Sequence, residues 1–268
     1  MARWSVKHGL FFLIASLAYG ATAGSTDRYI PLVQDGGGWT TEVMIVNLSD
    51  HTATVVASFL TAAGYSAIWP IGLTASTGKV LSNEVGASLV PGGILRIQSK
   101  GEAGVLTRGF AEIYSSTPGT QLGAFARLVR KIDDQVVQTF TVPFAPVNEQ
   151  RSRLPLDLTR GAAAEFVWVS MTTAPVLDLT FRDISGEVVV EGQITLNSAQ
   201  TFLNPLELWP QLVGFSGVME WNVSFPAADR YEYRTLAAIS LWTREAGAIF
   251  AIPGMTLAVD QDNGEPYR

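Results

Sequence analysis

Residues 177–196, which read LDLTFRDISGEVVVEGQITL, decide the fold class of this chain. Leu177, Leu179 and Phe181 alternate with polar residues, and a second alternating run follows from residue 187. Alternation with a period of two is the pattern of a β-strand with one buried face. The residues between the runs, Asp-Ile-Ser-Gly at 183–186, are turn formers. The segment therefore predicts a β-hairpin.

Working outward, similar short runs fill the rest of the chain, and no long stretch keeps the 3.6-residue period of a helix. Four groups of residues recur in the same order in both halves, which indicates a tandem duplication. The matched groups are 42–47 with 165–170, 58–59 with 180–181, Leu89 and Ile94-Leu95 with Leu196 and Thr201-Phe202, and 140–143 with 250–253.

The predicted architecture is all-β, with two tandem immunoglobulin-like β-sandwich modules. The first module is predicted at 27–146 and the second at 154–258, with a polar linker at 147–153 and a mobile tail at 259–268. A linker this short favours modules that pack against each other. A single helical turn is expected at 204–208, with Asn204 as its cap and Pro205 at its first position.

The N-terminus reads as a cleaved signal peptide at 1–23. Arg3 and Lys7 precede the apolar run at 9–17, and Ala21-Thr22-Ala23 matches the usual cleavage pattern. The run is shorter than the roughly 20 residues that span a bilayer. We therefore expect a secreted protein, in the periplasm, on the cell surface or in the medium, with no membrane insertion after cleavage.

Composition excludes several classes of function. The net charge is −6, and loss of the signal removes two of the 18 basic residues. An acidic surface disfavours nucleic acid as a partner, because binding to phosphates needs an excess of basic residues. The chain has no cysteine, which excludes thiol nucleophiles, thiolate metal sites and disulfides.

The most distinctive string is Asp-Gly-Gly-Gly-Trp at 35–39. Consecutive glycines could let a backbone approach a ligand, with Trp39 as a stacking platform. The favoured interpretation is a tight connection into a strand, with the glycines at positive φ and Trp39 at one end of the core. No Lys-Ser/Thr and no helix follow, so this is not a nucleotide-binding loop.

The motif also carries a resemblance. Ile30-Pro31, the DGGGWTT string at 35–41 and a strand ending in Val46-Asn47 resemble repeats of uncharacterised exported bacterial β-sandwich proteins. The Pro-Gly-Gly turn at 91–93 fits the same pattern, whereas the second half has no DGGGW. The resemblance implies a β-sandwich fold and an exported bacterial protein, and it carries no assigned activity.

Catalytic chemistry has few candidates. His51 is the sole histidine outside the signal peptide, and it is expected in an exposed hairpin turn. No Gly-x-Ser-x-Gly motif supplies a nucleophile for it. A glycosidase would need two carboxylates about 5–10 Å apart. The carboxylates within predicted strands, most of which are expected to face solvent, are Glu42, Glu112, Glu165, Asp178 and Glu220.

Calcium and other cofactors are not expected. The acidic segment at 260–265 lacks the spacing and helices of an EF-hand, and Asp133-Asp134 lacks further oxygen ligands. Aromatic side chains provide the remaining candidate binding site, because exposed rings can stack on sugars. Trp69 and Trp209 are expected at exposed ends of strands or helices. The full candidate set is Trp39, Trp69, Trp209, Tyr231 and Tyr233.

Three functions follow from these patterns. The favoured one is a non-catalytic structural or protein-interaction component of the cell surface, which binds an unknown protein or itself through its edge strands. The alternative is a carbohydrate-binding protein that uses exposed aromatics. The third is a hydrolase based on paired carboxylates, which would need a cleft.

Overall fold

The computed structural model describes residues 28–69, 72–81, 83–146, 151–159, 162–172, 174–225, 236–243, 249–253 and 255–256. These residues form antiparallel sheets with a single short α-helix, which confirms the all-β prediction. The predicted signal peptide and C-terminal tail lie outside the described residues.

The first half of the chain forms two sheets. Its strands are β1 (Arg28–Asp35), β2 (Trp39–Asn47), β3 (Ala53–Thr61), β4 (Gly64–Ile68), β5 (Leu73–Ala75), β6 (Lys79–Leu81), β7 (Glu84–Leu89), β8 (Ile94–Ser99), β9 (Thr107–Ser115), β10 (Leu122–Ile132), β11 (Gln135–Pro143) and β12 (Ala145–Pro146). The first sheet has the order β12-β1-β9-β3-β7-β6, with β4 also paired to β3. The second sheet has the order β11-β10-β2-β8-β5.

The second half also forms two sheets. Its elements are β13 (Arg151–Asp157), β14 (Ala163–Val169), β15 (Val176–Asp183), β16 (Val188–Thr195), β17 (Gln200–Leu203), α1 (Pro205–Leu208), a 3₁₀ turn (Pro210–Leu212), β18 (Ser216–Ser224), β19 (Ala237–Thr243), β20 (Ile249–Pro253) and β21 (Met255–Thr256). The third sheet has the order β16-β15-β18-β13-β21. The fourth has the order β17-β14-β19-β20.

The hairpin predicted at 177–196 is confirmed as the antiparallel pair of β15 and β16. Its turn is held by Asp183, whose carboxylate accepts backbone hydrogen bonds from Ser185 at 2.8 Å and Glu187 at 3.0 Å. Gly186 has a φ of 88°, a conformation that glycine adopts without strain.

The helical turn predicted at 204–208 is also confirmed. The side chain of Asn204 accepts a hydrogen bond from the backbone N–H of Leu206 at 3.0 Å, and Pro205 occupies the first turn. The cap and the proline together explain why the sole described α-helix begins here.

The two halves repeat the same strand order. Strands β12-β1-β9-β3-β7 of the first sheet correspond to β21-β13-β18-β15-β16 of the third, and β11-β10-β2-β8 correspond to β20-β19-β14-β17. The register of strand pairing repeats as well. Glu42 of β2 lies opposite Arg127 of β10, and their counterparts Glu165 of β14 and Leu241 of β19 also lie opposite each other. The matches between halves found in the sequence thus fall on equivalent strands.

One of those matches was wrong by one residue. Ile45 faces Leu95 across the strands, and its counterpart Trp168 faces Thr201. Thr201 rather than Phe202 therefore occupies the position of Leu95. The error arose because Phe202 is apolar for another reason, namely that it packs against the core of the first half.

The predicted linker at 147–153 also needs correction. Arg151–Asp157 form strand β13, which pairs with β18 along its whole length, so the last three residues of the predicted linker belong to a strand. Their polar character misled the prediction, because this strand places Arg153 on an exposed sheet face. Residues 147–150 lie outside the described residues.

The fourth sheet contributes side chains to two hydrophobic cores, one on each of its faces. Phe166 and Trp168 belong to the core of the second half. The alternating residues Val167 and Ile239 belong to the core cluster of the first half. Both faces of the sheet are therefore buried, and strand β14 has a nearly continuous run of apolar residues, as buried strands have.

The face of the first sheet that contacts the fourth sheet carries a cluster of apolar residues. Tyr29, Leu60 and Phe110 cluster there with Val169 and Ala237 of the fourth sheet. Burial of side chains of this size stabilises a protein by about 1.5–3 kcal/mol each. The halves are thus held together by a contiguous apolar contact.

Gln200 adds a polar link across the same contact. Its side-chain Nε2 donates to the carbonyl oxygens of Pro31 and Gly109, both at 2.7 Å. Its backbone N–H donates to the carbonyl oxygen of Ala62 at 3.1 Å. These bonds give three backbone carbonyl groups of the first half a donor from the second half.

The equivalent face of the third sheet is charged. Tyr29 lies opposite Glu112 in the first sheet, and Arg153 lies opposite Glu220 in the third. In the same way Arg182 takes the position of Leu60. Apart from Glu112, which is buried beside Tyr29, the repeated face is therefore apolar where a sheet covers it, and it is charged where it meets solvent.

Candidate functional site

The string at 35–39 builds the turn between β1 and β2. Asp35 is fully buried, and its carboxylate accepts backbone hydrogen bonds from Gly101 at 2.8 Å and from Ala103 at 3.3 Å. Gly36 and Trp39 exchange two backbone hydrogen bonds of 3.0 Å. The acidic residue therefore fixes the neighbouring loop and is not free to bind a ligand.

The glycines of this turn are required by space and by backbone conformation. A Cβ on Gly36 would lie 2.4 Å from the carbonyl oxygen of Ala103, and one on Gly38 would lie 2.4 Å from that of Lys131. Both glycines have positive φ. Trp39 is buried, and its ring packs edge-to-face on Phe140. The interpretation as a tight connection with Trp39 in the core is confirmed.

The expectation that Trp69 and Trp209 are exposed is wrong. Their exposed fractions are 1% and 9%. Trp69 stacks on Phe59 with ring centroids 5.9 Å apart, and Trp209 packs on Phe181 at 5.1 Å. Each indole fills the core of its own half, so neither ring face is free to stack on a sugar.

The two tryptophans pack on equivalent phenylalanines of the two halves, but they lie in different connecting segments. Phe59 and Phe181 are equivalent residues of β3 and β15, whereas Trp69 follows β4 and Trp209 follows α1. Space for Trp209 comes from Gly192, where a Cβ would lie 2.5 Å from the indole ring. A glycine within the alternating pattern of β16 was the signal that an aromatic ring packs there.

Of the remaining aromatic candidates, Trp39 is buried as described above, and Tyr231 and Tyr233 lie outside the described residues. The structure therefore brings none of the candidate aromatics together on a described surface.

The candidate carboxylates differ in their exposure and in their partners. Asp178 is exposed, whereas Glu112 and Glu220 are only 7% and 9% exposed, so the expectation that most of these carboxylates face solvent fails at these two residues. Glu112 accepts a hydrogen bond from the hydroxyl of Tyr29 at 3.3 Å. Its environment is the contact between the halves, which explains its burial.

Glu220 is paired with two arginines. One carboxylate oxygen contacts the Nε of Arg153, and the other lies 3.1 Å from the Nε of Arg182. Burial raises the pKa of Glu220, but the hydrogen bond from Arg182 and the charge of Arg153 outweigh burial and hold the pKa below its usual value. This carboxylate is ionised and engaged in structure at neutral pH.

Glu165 lies where the halves meet. Its carboxylate is 3.9 Å from the guanidinium of Arg108, which also sits over the ring of Phe202. Burial raises the pKa of Glu165, the charge of Arg108 lowers it, and the charge of Glu207 raises it further. The net direction is upward, so the folded protein disfavours the ionised form.

This pKa predicts a pH dependence of stability. Below its usual value of 4.5 Glu165 is neutral in both states, and stability is lost as pH rises through the higher pKa of the folded state. Glu165→Gln should therefore gain stability relative to the wild type as the pH rises above about 4.5, where the unfolded chain begins to ionise before the folded protein does. Urea unfolding at a series of pH values measures this difference.

The matched control is Glu42→Gln, because Glu42 occupies the equivalent position on β2 of the second sheet and contacts Arg127. A drift of the same sign and size in both variants would contradict a specific role for the surroundings of Glu165 between the halves.

His51 lies in the connection between β2 and β3, as expected. Its Nδ1 is 3.0 Å from the carboxylate of the exposed Asp50, and its backbone carbonyl accepts a hydrogen bond from Asn47. In the described part of the chain, no group of three or more His, Asp or Glu side chains could hold a metal ion. Asp133 and Asp134 form the β10–β11 turn at positive φ, and the acidic segment at 260–265 lies outside the described residues.

The strongest candidate for an interaction surface is strand β16. It pairs with β15 on one side, and no described strand pairs with its other side. Exposed edges of this kind present unpaired backbone donors and acceptors to other chains. Here Glu191, Gln193 and Thr195 on the outer face of the strand are all exposed, as is Val189, which lies at a bulge.

Apolar exposure in the second half is concentrated around this strand. Val188 and Val189 are each 45% exposed, and Ile184 in the adjoining turn is 87% exposed. Leu208 and Val213 flank the segment that packs on β16 through Trp209 and Gly192, and both are exposed. These five are the only large apolar side chains that are exposed among the described residues after 150. We call them, with the outer side of β16, the β16 edge surface.

Comparisons of the chain with protein-family models, with curated proteins and with solved structures found no match. Among the described residues, no helix is long and apolar enough to cross a membrane.

Proposed function

We propose that this protein is a non-catalytic, exported component that binds protein partners through the β16 edge surface. The observation that carries the proposal is the coincidence of a free strand edge with the exposed apolar residues of the second half. A peptide strand that adds to such an edge gains backbone hydrogen bonds along its length and contacts for alternate side chains. A sheet edge and an apolar patch at one place favour a protein ligand.

The proposal includes two tandem sandwich modules behind a cleaved signal peptide. The shared strand order of the halves supports the two modules. The basic and apolar N-terminal residues and the Ala-Thr-Ala string at 21–23 support export, to the periplasm, the cell surface or the medium.

The non-catalytic part rests on how the polar side chains are used. Asp35 binds backbone N–H groups, Glu220 binds two arginines, and Glu112 is buried against Tyr29. A glycosidase needs two carboxylates that face each other across a substrate cleft. The engaged carboxylates of this chain serve structure, which favours binding over hydrolysis.

The proposal predicts a discrete partner at β16. A photo-crosslinking amino acid placed at Gln193 should form one defined covalent adduct in cells that export the protein, and gel analysis with mass spectrometry identifies it. The matched control is Thr141, an exposed position on strand β11 of the second sheet. Absence of an adduct at Gln193, or equal adducts at both positions, would contradict the proposed function.

A further inference from the structure

We infer that the partner of the β16 edge surface is a second copy of this chain, whose own β16 pairs antiparallel with it about a twofold axis at Gly192. The inference rests on the proposed function and names its partner. It joins the third sheets of two copies into one continuous sheet.

The first half shows how an edge of this kind is completed. Strand β7 is the equivalent of β16, because Glu84 lies opposite Ser58 and Glu191 lies opposite Thr180. In the first half β6 adds to the outer side of β7, where Lys79 pairs with Gly86. The second half has only the short 183–187 turn between β15 and β16, so the part of the chain that the structure describes supplies no strand there. The position that β6 occupies is thus open to another chain.

The sequence of β16 complements itself when Gly192 lies on the axis. Glu191 then faces Gln193 of the second copy on the outer side of the sheet. On the inner side Val190 faces Ile194. Every pair joins residues of compatible chemistry, and directly opposed pairs of this kind stabilise antiparallel strands.

The register centred on Glu191 is less favourable. An axis at Glu191 would place two carboxylates directly opposite each other, which destabilises a strand pair. The same argument disfavours addition of another acidic strand. Isologous twofold contacts are also the commonest form of self-association in soluble proteins.

The pairing accounts for the exposed apolar residues. Val188 and Val189 lie on the strand itself, and Leu208 lies on the helix next to Trp209, whose ring covers Gly192. A second copy paired about Gly192 would contact this region from the edge of β16 that does not pair with β15. Surfaces of this composition are common in contacts between copies of a chain.

The oligomeric state tests the inference. Sedimentation velocity of the purified protein should show a monomer–dimer equilibrium below about 100 µM. Val189→Lys should weaken it at least about tenfold, since charged lysines protect sheet edges. The control Val137→Lys is at a similarly exposed valine of β11 and should leave the equilibrium unchanged. A monomer at every concentration, or a dimer that Val189→Lys does not affect, would overturn the inference.

The register is tested by cysteine cross-linking, for which the cysteine-free chain is well suited. A mixture of Glu191→Cys and Gln193→Cys proteins should form a disulfide-linked dimer on mild oxidation, because directly opposed Cβ atoms are within reach. Either variant alone should form little. Efficient linkage of Glu191→Cys with itself, or of Gln193→Cys with Lys79→Cys, would overturn the pairing.

Different results would contradict the self-pairing of β16 and the proposed function. A monomeric protein that still forms a discrete adduct with a different protein at Gln193 would overturn self-pairing and leave the proposed function intact. Loss of every adduct at Gln193 would remove both.

Discussion

Gly109→Ala is expected to destabilise the protein by about 3 kcal/mol or more. A Cβ at this position would lie 2.1 Å from the carbonyl oxygen of Leu60 on the neighbouring strand β3. Since backbone atoms on both sides are held by the sheet, the strands would have to separate. Overpacking of a rigid interior costs about 1–3 kcal/mol, and this contact involves backbone on both sides. The free energy of unfolding from urea titration measures the loss.

Gly86→Ala is the matched control, because Gly86 also lies in a strand of the first sheet and a Cβ there would meet nothing within 4 Å. We expect its effect to stay within about 0.5 kcal/mol. Gly217 in β18 is the counterpart of Gly109, and its Cβ would lie 2.0 Å from the carbonyl oxygen of Arg182. A tolerated alanine at Gly109 would show that the strands are less closely spaced than described.

Trp209→Ala is expected to cost about 3–5 kcal/mol of unfolding free energy, as is typical when a large aromatic side chain is removed from a core. The indole packs on Phe181 and covers Gly192, so its loss would leave a cavity between β16 and the rest of the core. Thermal or urea unfolding followed by circular dichroism would measure the change without depending on tryptophan fluorescence.

Leu208→Ala at the neighbouring residue provides the control, because Leu208 is 50% exposed and its truncation should cost far less. The same proteins can be titrated with soluble polysaccharides. If Trp209→Ala kept its stability but abolished a saturable response to a polysaccharide, the indole would be a binding residue and the core assignment would be wrong.

The sequence predicted those features that depend on local chemistry. The alternation at 177–196 was sufficient for a hairpin because each strand of the third sheet has one face towards the core and one towards solvent. Asn204 and Pro205 predicted the helical turn, since a cap and a first-turn proline act within a few residues. The glycines at 36–38 were interpreted correctly for the same reason.

Features that depend on contacts between distant residues could not be predicted in this way. Trp69 and Trp209 each precede a proline, which resembles an exposed end of a strand or helix, but both rings turn inward onto Phe59 and Phe181. The burial of Glu112 follows from a sheet more than fifty residues away in the chain. Sequence alone predicted that the halves pack together and did not indicate which faces would meet.

The fourth sheet has a consequence for how the chain folds. Because Phe166 and Val167 face different cores from adjacent positions on one strand, neither core can be completed while that strand is displaced. Two modules with the same strand order but separate cores would ordinarily unfold as independent units. In this molecule the fourth sheet contributes to both cores, so we expect the two halves to unfold as one cooperative unit.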